Sequence, residues 1–421
     1  RRDGSSDISS SNRYQNFGAV GAAWEISKED FMQDQKVFDY LKLKASWGVL
    51  GNQYTAIHYP FYPLLIANQT AVFGNNVIPG YVPSFYPNPD LKWETVTSKE
   101  IGIETRVLNN RLNLEINYFD KLTDNLLTPL PSLNGAVAGI TNGGKISNNG
   151  IEITAGWSDK VSRDFTYSIN ANITTLNNKV KELYQTGYQI FDGPSITTTG
   201  EPIGSFFGYI QEGIYQNADD IAKSPDASAL GDYGPGDIKF KDVNGDGKID
   251  VNDRTIIGNP TPEFIYGFSL GAAYTGLDLS IDFQGVSGND IFRNWGNGSS
   301  FAVFNFREAR LGRWTGEGTS NFEPEMNDAK GINKNASTYM IEDGSYLRIR
   351  NLQIGYNFTP SQLSKIHCKS LRIYLNAQNI ATFKSNSGFT PEFTGTATQF
   401  GVDGGSYPVP AIYSAGINVS F

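Results

Sequence analysis

The clearest chemical signal in the sequence is a run of oxygen-bearing side chains at fixed spacing, from Asp242 to Asp253. Counted from Asp242, such side chains occupy positions 1, 3, 5, 9 and 12, with a glycine at position 6 and an apolar residue at position 8. This is the spacing of an EF-hand loop, which arranges about six to eight oxygen ligands around one calcium ion. The predicted ligands are the side chains of Asp242, Asn244, Asp246, Asp250 and Asp253 and the backbone carbonyl of Lys248.

We expect this calcium ion to be structural, because it would neutralise carboxylates that otherwise repel one another within a long loop. Asp253 stands where such loops usually have glutamate, so its side chain reaches less far and a modest affinity is expected. The alternative interpretation is an ordinary turn rich in Asp, Asn and Gly. Agreement at every ligand position favours calcium.

A second group of candidate residues lies between residues 54 and 91, where aromatic side chains are dense. Aromatic rings provide a large contact area at a low cost in conformational entropy, so they suit the faces of sugars or a partner protein. The alternatives are packing of the loop on itself and a girdle at a membrane surface. The candidate contact residues are Tyr54, Tyr59, Tyr62, Tyr81, Phe85 and Tyr86.

Catalysis and nucleic-acid binding find little support. Two histidines and one cysteine leave few metal-hydrolase or Ser-His-Asp arrangements. His367 and Cys368 are adjacent, but chain neighbours rarely present both groups to one substrate. Glu104 and Glu115 could form an acid–base pair, yet charged residues of this kind more often line a polar pore. The formal net charge of -9 argues against a nucleic-acid partner, and the sequence predicts a protein that is not an enzyme.

The elements that carry these groups are predicted to be β-strands, because apolar and polar residues alternate at period two over segments of about ten residues. One predicted hairpin joins residues 101–107 to 112–118 through a turn at Asn109-Asn110. Two more turn at residues 158–163 and at Thr275-Gly276. Further strands are predicted at residues 12–26, 38–49, 345–358, 369–382 and 408–421.

The outward faces of these strands are aliphatic and aromatic, whereas the inward faces carry Glu, Arg, Asn and Asp. A soluble β-sandwich would bury those charges at a cost of several kcal/mol each, and its strands are usually shorter. No run of 18 apolar residues occurs, which excludes a membrane helix. The sequence therefore predicts an all-β protein with a transmembrane antiparallel β-barrel. Four tryptophans lie near predicted strand ends, and we expect them to belong to the two aromatic girdles at the membrane surfaces: Trp24, Trp47, Trp93 and Trp157.

The predicted connections alternate between short and long, and the longest, residues 179–262, contains the calcium motif. Bacterial barrels have short periplasmic turns and long extracellular loops, so we expect this loop to be extracellular and the C-terminus periplasmic. The last strand alternates up to a final aromatic residue, a pattern typical of an outer-membrane assembly signal; its residues include Tyr413, Ile417, Val419 and Phe421.

About eleven strands are predicted, and single-chain bacterial barrels close with an even number. Eleven is half of the roughly twenty-two strands of large plugged transporters. We therefore expect the C-terminal half of such a barrel, which should not close alone. The N-terminus has no signal-peptide pattern, so the sequence is expected to begin downstream of its natural start.

Several stretches of the chain form a recognisable series: Asn12-Arg13-Tyr14, Gly21-Ala22-Ala23-Trp24-Glu25-Ile26-Ser27, Leu41-Lys42-Leu43-Lys44-Ala45-Ser46-Trp47-Gly48, Gly51-Asn52-Gln53, Asn88-Pro89-Asp90-Leu91-Lys92-Trp93-Glu94, Tyr346-Leu347-Arg348-Ile349-Arg350-Asn351-Leu352 and Gln378-Asn379. Together they resemble the SusC/RagA family of TonB-dependent transporters, and they follow the order that the family has. The resemblance extends over nearly all of the chain.

This resemblance implies TonB-dependent import of nutrient oligomers, oligosaccharides or peptides, together with a SusD-like surface lipoprotein. It also implies a plug, the remaining half of the barrel and a segment that contacts the TonB complex, none of which we find in this sequence. The barrel would sit in outer-membrane lipid. Two alternatives remain open at this point: a calcium-dependent adhesion or scaffold barrel, and an outer-membrane barrel hydrolase.

Overall fold

The computed structural model describes residues 1–55, 57–129, 139–295, 307–326, 331–363 and 368–420. Its described part is dominated by β-structure, and eleven strands form its main succession of hydrogen-bonded neighbours. These are β1 (Ala19–Glu25), β2 (Phe38–Asn52), β3 (Glu94–Val107), β4 (Leu112–Asp124), β5 (Gly144–Lys160), β6 (Phe165–Thr175), β7 (Phe264–Tyr274), β8 (Leu277–Ser287), β9 (Tyr346–Asn357), β10 (Ser370–Lys384) and β11 (Ile412–Ser420). The predicted all-β fold class is confirmed, and the number of these main strands agrees with the prediction of about eleven.

The chain divides into two compact units. The first comprises residues 1–157, 174–189 and 198–201, and within it β1 to β5 pair in chain order as antiparallel neighbours. The strand Asn177–Leu183 also pairs with the beginning of β5. Three further antiparallel pairs are Arg2–Gly4 with Tyr14–Asn16, Leu65–Phe73 with Asn76–Pro83, and Leu127–Pro129 with Ile140–Asn142. Two 3-10 turns are Ile26–Lys28 and Asp30–Met32.

The second unit comprises residues 158–173, 190–197 and 202–421, and within it β6 to β11 follow one another in the sheet. Its long connections contain short strands, namely Ile190–Asp192, Ser195–Thr197, Ser205–Gly208, Gln211–Ile214, Ile238–Phe240, Thr255–Gly258, Asp290–Arg293, Ile341–Asp343 and Val402–Asp403. The described helices are Ala218–Lys223 and Pro360–Leu363, with 3-10 turns at Ser228–Leu230, Val251–Asp253, Glu308–Gly312, Ile332–Lys334 and Thr338–Met340.

The long strands have one apolar face and one polar face, as the alternation predicts. In the β2–β3 ladder Lys42 lies opposite Glu104 and Leu43 lies opposite Ile103. Charged side chains are therefore paired on one face of the ladder and apolar side chains on the other. Apolar side chains on the other face are open, with Ile101 61% and Leu375 63% exposed. A large exposed apolar surface normally contacts lipid or another protein. No described helix is both long and apolar enough to cross a membrane.

Two expectations about the first unit are wrong. The strand predicted at residues 12–26 is interrupted, because Tyr14–Asn16 pairs with Arg2–Gly4 and only Ala19–Glu25 joins β2. Phe17, between them, packs into a small buried cluster with Trp93. Trp93 is only 5% exposed and donates its indole N–H to the carbonyl of Arg13 at 3.1 Å. It therefore does not belong to an interfacial girdle.

The predicted turn at Thr275-Gly276 joins β7 to β8, with φ of 46° and 88° at its two residues. Consecutive positive φ values twist a two-residue hairpin in the sense that its strands require, and glycine adopts them without a steric penalty. A Cβ atom at position 276 would lie 2.5 Å from the carbonyl oxygen of Asn357.

We expect Gly276→Val to destabilise the folded protein by about 1–3 kcal/mol, because it adds both a strained φ and this clash. The measurement is the temperature at which the heat-modifiable band unfolds in detergent gel electrophoresis. The matched control is Gly312→Val, where a Cβ atom would meet no described atom within 4 Å. If the unfolding temperature fell equally in both variants, the loss of stability could not be assigned to the turn at Gly276.

Candidate functional site

The segment 242–253 curls around the carboxylate of Asp242. This carboxylate accepts the backbone N–H groups of Gly245 at 2.6 Å and Gly247 at 2.8 Å. Hydrogen bonds, that from Gly247 foremost, lower the pKa of Asp242, which keeps the group anionic. Gly245 and Gly247 have φ of 76° and 84°, which allows the backbone to turn tightly enough for these contacts.

Asp253 closes the other end of the loop from a fully buried position. Its Oδ1 accepts the N–H of Val243 at 2.9 Å, and its Oδ2 accepts the N–H of Asp250 at 2.8 Å. Positions 2, 9 and 12 of the motif are thereby tied together. Each carboxylate oxygen retains lone-pair capacity after accepting an N–H group, so these bonds are compatible with a ligand role.

The loop is attached to a hydrophobic core by its one buried apolar residue, Ile249. The backbone N–H of Ile249 donates to the carbonyl of Asp226 at 2.8 Å, and the N–H of Asp226 donates to the carbonyl of Gly247 at 3.0 Å. The core contains Phe206, Tyr209, Ile214, Ala227, Ile238, Phe240, Ile249, Phe292, Ile332, Tyr339 and Met340, from two long connections of the second unit. The loop conformation is therefore linked to the packing of both connections.

The donor set of the loop suits a hard cation. In the described part of the chain, no three His, Cys, Asp or Glu side chains converge closely enough to hold a metal by themselves. The predicted set includes four aspartates, so their carboxylates are not gathered around one point in this structure. Asn244 and Asp246 are exposed, and the amide of Asn244 lies 3.3 Å from Oδ2 of Asp246. Each also accepts a backbone N–H group of the loop: Asn244 Oδ1 accepts that of Asp246 at 2.9 Å, and Asp246 Oδ1 accepts that of Lys248 at 2.9 Å.

The polar strand faces carry paired charges rather than a catalytic arrangement. In the first unit Lys42 binds Glu104 at 2.7 Å, and Lys44 is paired with Glu115. In the second unit Arg372 donates to the carboxylate of Asp278 at 2.6 Å. Glu104 and Glu115 lie opposite each other in the β3–β4 ladder, and each has its own lysine. Such polar strand faces are typical of the inner wall of a water-filled β-barrel.

The predicted aromatic contact residues do not all share one environment. Tyr54, Tyr62 and Tyr81 are 79%, 68% and 69% exposed, and Tyr59 and Tyr86 are also exposed. Phe85 differs, since it is buried at 5% exposure and offers no ring surface to a ligand. It is therefore removed from the predicted contact set, and the other five residues remain candidates.

The last strand presents Tyr413, Ile417 and Val419 on an exposed face, in the alternation that the assembly-signal prediction requires. Phe421, the final residue of that signal, and His367 lie outside the described residues. Cys368 is partly buried.

Sequence analysis missed a buried charged cluster in the second unit, here called the arginine cluster: Arg293, Arg307, Arg310, Glu323, Tyr339 and Glu342. Glu323 accepts from Arg307 at 3.0 Å and from the hydroxyl of Tyr339 at 2.7 Å. Arg293 binds Glu342 at 2.8 Å. Burial raises the pKa of Tyr339 and lowers that of Arg293. No local sequence pattern could indicate it, because its members are up to 49 residues apart.

Residues 1–380 match the family model described as TonB dependent receptor-like, beta-barrel. The chain belongs to this family. It is 32% identical to TonB-dependent receptor P3 of Formosa agariphila, over all of the chain and 43% of that protein. It is 26% identical to TonB-dependent receptor SusC of Bacteroides thetaiotaomicron, over all of the chain and 41% of that protein.

Among solved structures, the chain superimposes on the RagAB peptide transporter with a TM-score of 0.82 and 25% identity, over all of the chain and 45% of that protein chain. The resemblance to SusC/RagA transporters is thus confirmed, and the protein is an outer-membrane β-barrel protein of the TonB-dependent receptor type. The chain spans less than half the length of these relatives.

Proposed function

We propose that the protein imports nutrient oligomers across the outer membrane by TonB-dependent active transport. The observation that carries this proposal is the structural match to a peptide transporter over the whole chain. The polar strand faces support it, because faces with paired charges can line a water-filled passage for hydrated solutes. The proposed role is transport rather than catalysis.

The proposed orientation places the long connections outside the cell and the C-terminus in the periplasm. Support comes from the connection lengths, since short connections of two to twelve residues alternate with much longer ones. The connection at residues 179–262 is then extracellular, as are the exposed tyrosines between residues 54 and 86. We propose that these tyrosines contact a SusD-like lipoprotein or the nutrient, and that segments outside this chain contact the TonB complex.

We also propose that the loop 242–253 binds one calcium ion through Asp242, Asn244, Asp246, the carbonyl of Lys248, Asp250 and Asp253. The ion would hold the turn closed while Ile249 stays in the core of the long connections. Its proposed role is structural, so transport chemistry does not pass through it.

The import proposal is tested by growth of the source bacterium on oligomers that are too large for porins. Deletion of the gene is expected to abolish growth on at least one oligosaccharide or peptide mixture while leaving growth on its monomers intact. A strain that lacks TonB should show the same loss, because the transport step is driven by that complex. Growth on every oligomer tested after deletion, or transport that persists without TonB, would refute the proposal.

A further inference from the structure

Arg350 on β9 differs from the other arginines nearby in the chemistry of its partners. Arg372 donates two N–H groups to the carboxylate of Asp278, at 2.6 and 3.2 Å. Arg348 is 2% exposed and is paired with Glu392. Both of these positive charges are therefore neutralised by acidic residues of the chain.

The guanidinium of Arg350 is bound by neutral groups instead. Its Nε donates to the amide oxygen of Gln284 at 2.6 Å, and its Nη1 donates to the amide oxygen of Asn379 at 3.3 Å. Among the residues that the structure describes, none provides it with a carboxylate partner. Two amide oxygens fix the orientation of the guanidinium without neutralising its charge, and it keeps N–H donors that no described residue accepts.

The backbone is distorted at the same point. The ladders of β9 with β8 and with β10 both shift register beside Arg350, so this residue is left out of the pairing on either side. Asn379, on β10, has a φ of 53°. Bulges re-aim side chains, and a non-glycine residue with positive φ costs free energy that the surrounding structure must offset.

The consequence of this double bulge is that consecutive residues face the same way. Asn351 donates to Asp282 at 3.1 Å, and Arg350 donates to Gln284, two residues further along the same strand. In a regular strand Arg350 and Asn351 would point to opposite faces. The bulge thus places an extra, partly exposed cation on the polar face.

We propose that Arg350 binds a carboxylate of the transported nutrient, so that the protein selects acidic oligomers: peptides containing Asp or Glu, or glycans containing uronic acids. This inference rests on the proposed import function and specifies its substrate class. A guanidinium that amides hold in place, with no described carboxylate beside it, suits an anion that binds and then leaves during transport. A carboxylate of the protein would be a permanent partner, as Glu392 is for Arg348.

The test uses the full-length transporter with its co-purified lipoprotein, and measures equilibrium binding by calorimetry at low and high salt. Two pairs of probes separate the possible sources of the carboxylate: pentaglutamate against pentaglutamine, and a galacturonate oligomer against its methyl ester. The variants are Arg350→Gln, which removes the charge, and Arg350→Lys, which retains it. The control replaces a complete ion pair on the same face, Arg372→Gln together with Asp278→Asn.

We expect the acidic member of one pair to bind more tightly than its neutral counterpart, and Arg350→Gln to reduce that preference about tenfold. Arg350→Lys should keep part of the preference, and the double control should keep all of it. Equal binding of acidic and neutral probes in both pairs would overturn the inference. So would a lower melting temperature of Arg350→Gln without a change in affinity, since the partner would then be a carboxylate of the protein itself. The growth experiment judges import separately, so the two proposals can fail independently.

Discussion

Removal of calcium is expected to accelerate chymotrypsin cleavage at Phe240 about a hundredfold, when the free calcium of the untreated sample is about one hundred times the dissociation constant. Phe240 is 1% exposed and belongs to the same core as Ile249, so cleavage there requires the core to open. A ligand that binds only the closed state reduces the open population by the ratio of its concentration to that constant. The measurement is the cleavage rate in calcium and in chelator.

Two variants make this result specific to the loop. Asp242→Asn combined with Asp246→Asn removes two of the proposed anionic ligands, so this protein should be cleaved rapidly whether or not calcium is present. Asp232→Asn, an exposed aspartate outside the motif, should respond to calcium as the unmodified protein does. Identical cleavage in calcium and chelator would contradict the calcium proposal and show that the loop is held closed by its own hydrogen bonds to Asp242 and Asp253.

The local features of the fold could be predicted because their causes are local. The turn at Thr275-Gly276 follows from two adjacent residues that tolerate positive φ, and the strands beside it follow from alternation at period two. The calcium motif is likewise a pattern of neighbours. In each case the residues that determine the structure lie within a few positions of one another.

The interior of the long connections could not be predicted, because it is built from distant segments. The N–H of Ile214 donates to the side chain of Asn321, and Ile238 donates to Asn333, across 107 and 95 residues. Short strands of three or four residues show no measurable periodicity. Phe85 and Trp93 were misplaced for a related reason: an aromatic side chain in a loop has the same pattern whether it is exposed or buried.

Replacement of Glu323 by alanine is expected to destabilise the long connections of the second unit by about 3–5 kcal/mol, the cost of leaving buried charge without its partner. The side chains of Arg307 and Arg310 are 8% and 4% exposed, and both donate to Glu323. Arg293 adds a third positive charge nearby, because its guanidinium and that of Arg307 both lie over the ring of Tyr339, at 5.2 and 5.7 Å from the ring centroid. The readout is the chymotrypsin cleavage rate at Tyr339, which is 3% exposed in the folded protein.

Charge and hydrogen bonding are separated by Glu323→Gln, which keeps an acceptor for the hydroxyl of Tyr339 but removes the negative charge. It should fall between the unmodified protein and Glu323→Ala. Glu317→Ala is the matched control, because Glu317 is exposed and its hydrogen bond to Asn217 lies in solvent, so a change of about 0.5 kcal/mol or less is expected. If Glu323→Ala were no worse than Glu317→Ala, the arginine cluster would owe its stability to packing around Tyr339, and the carboxylate would be dispensable.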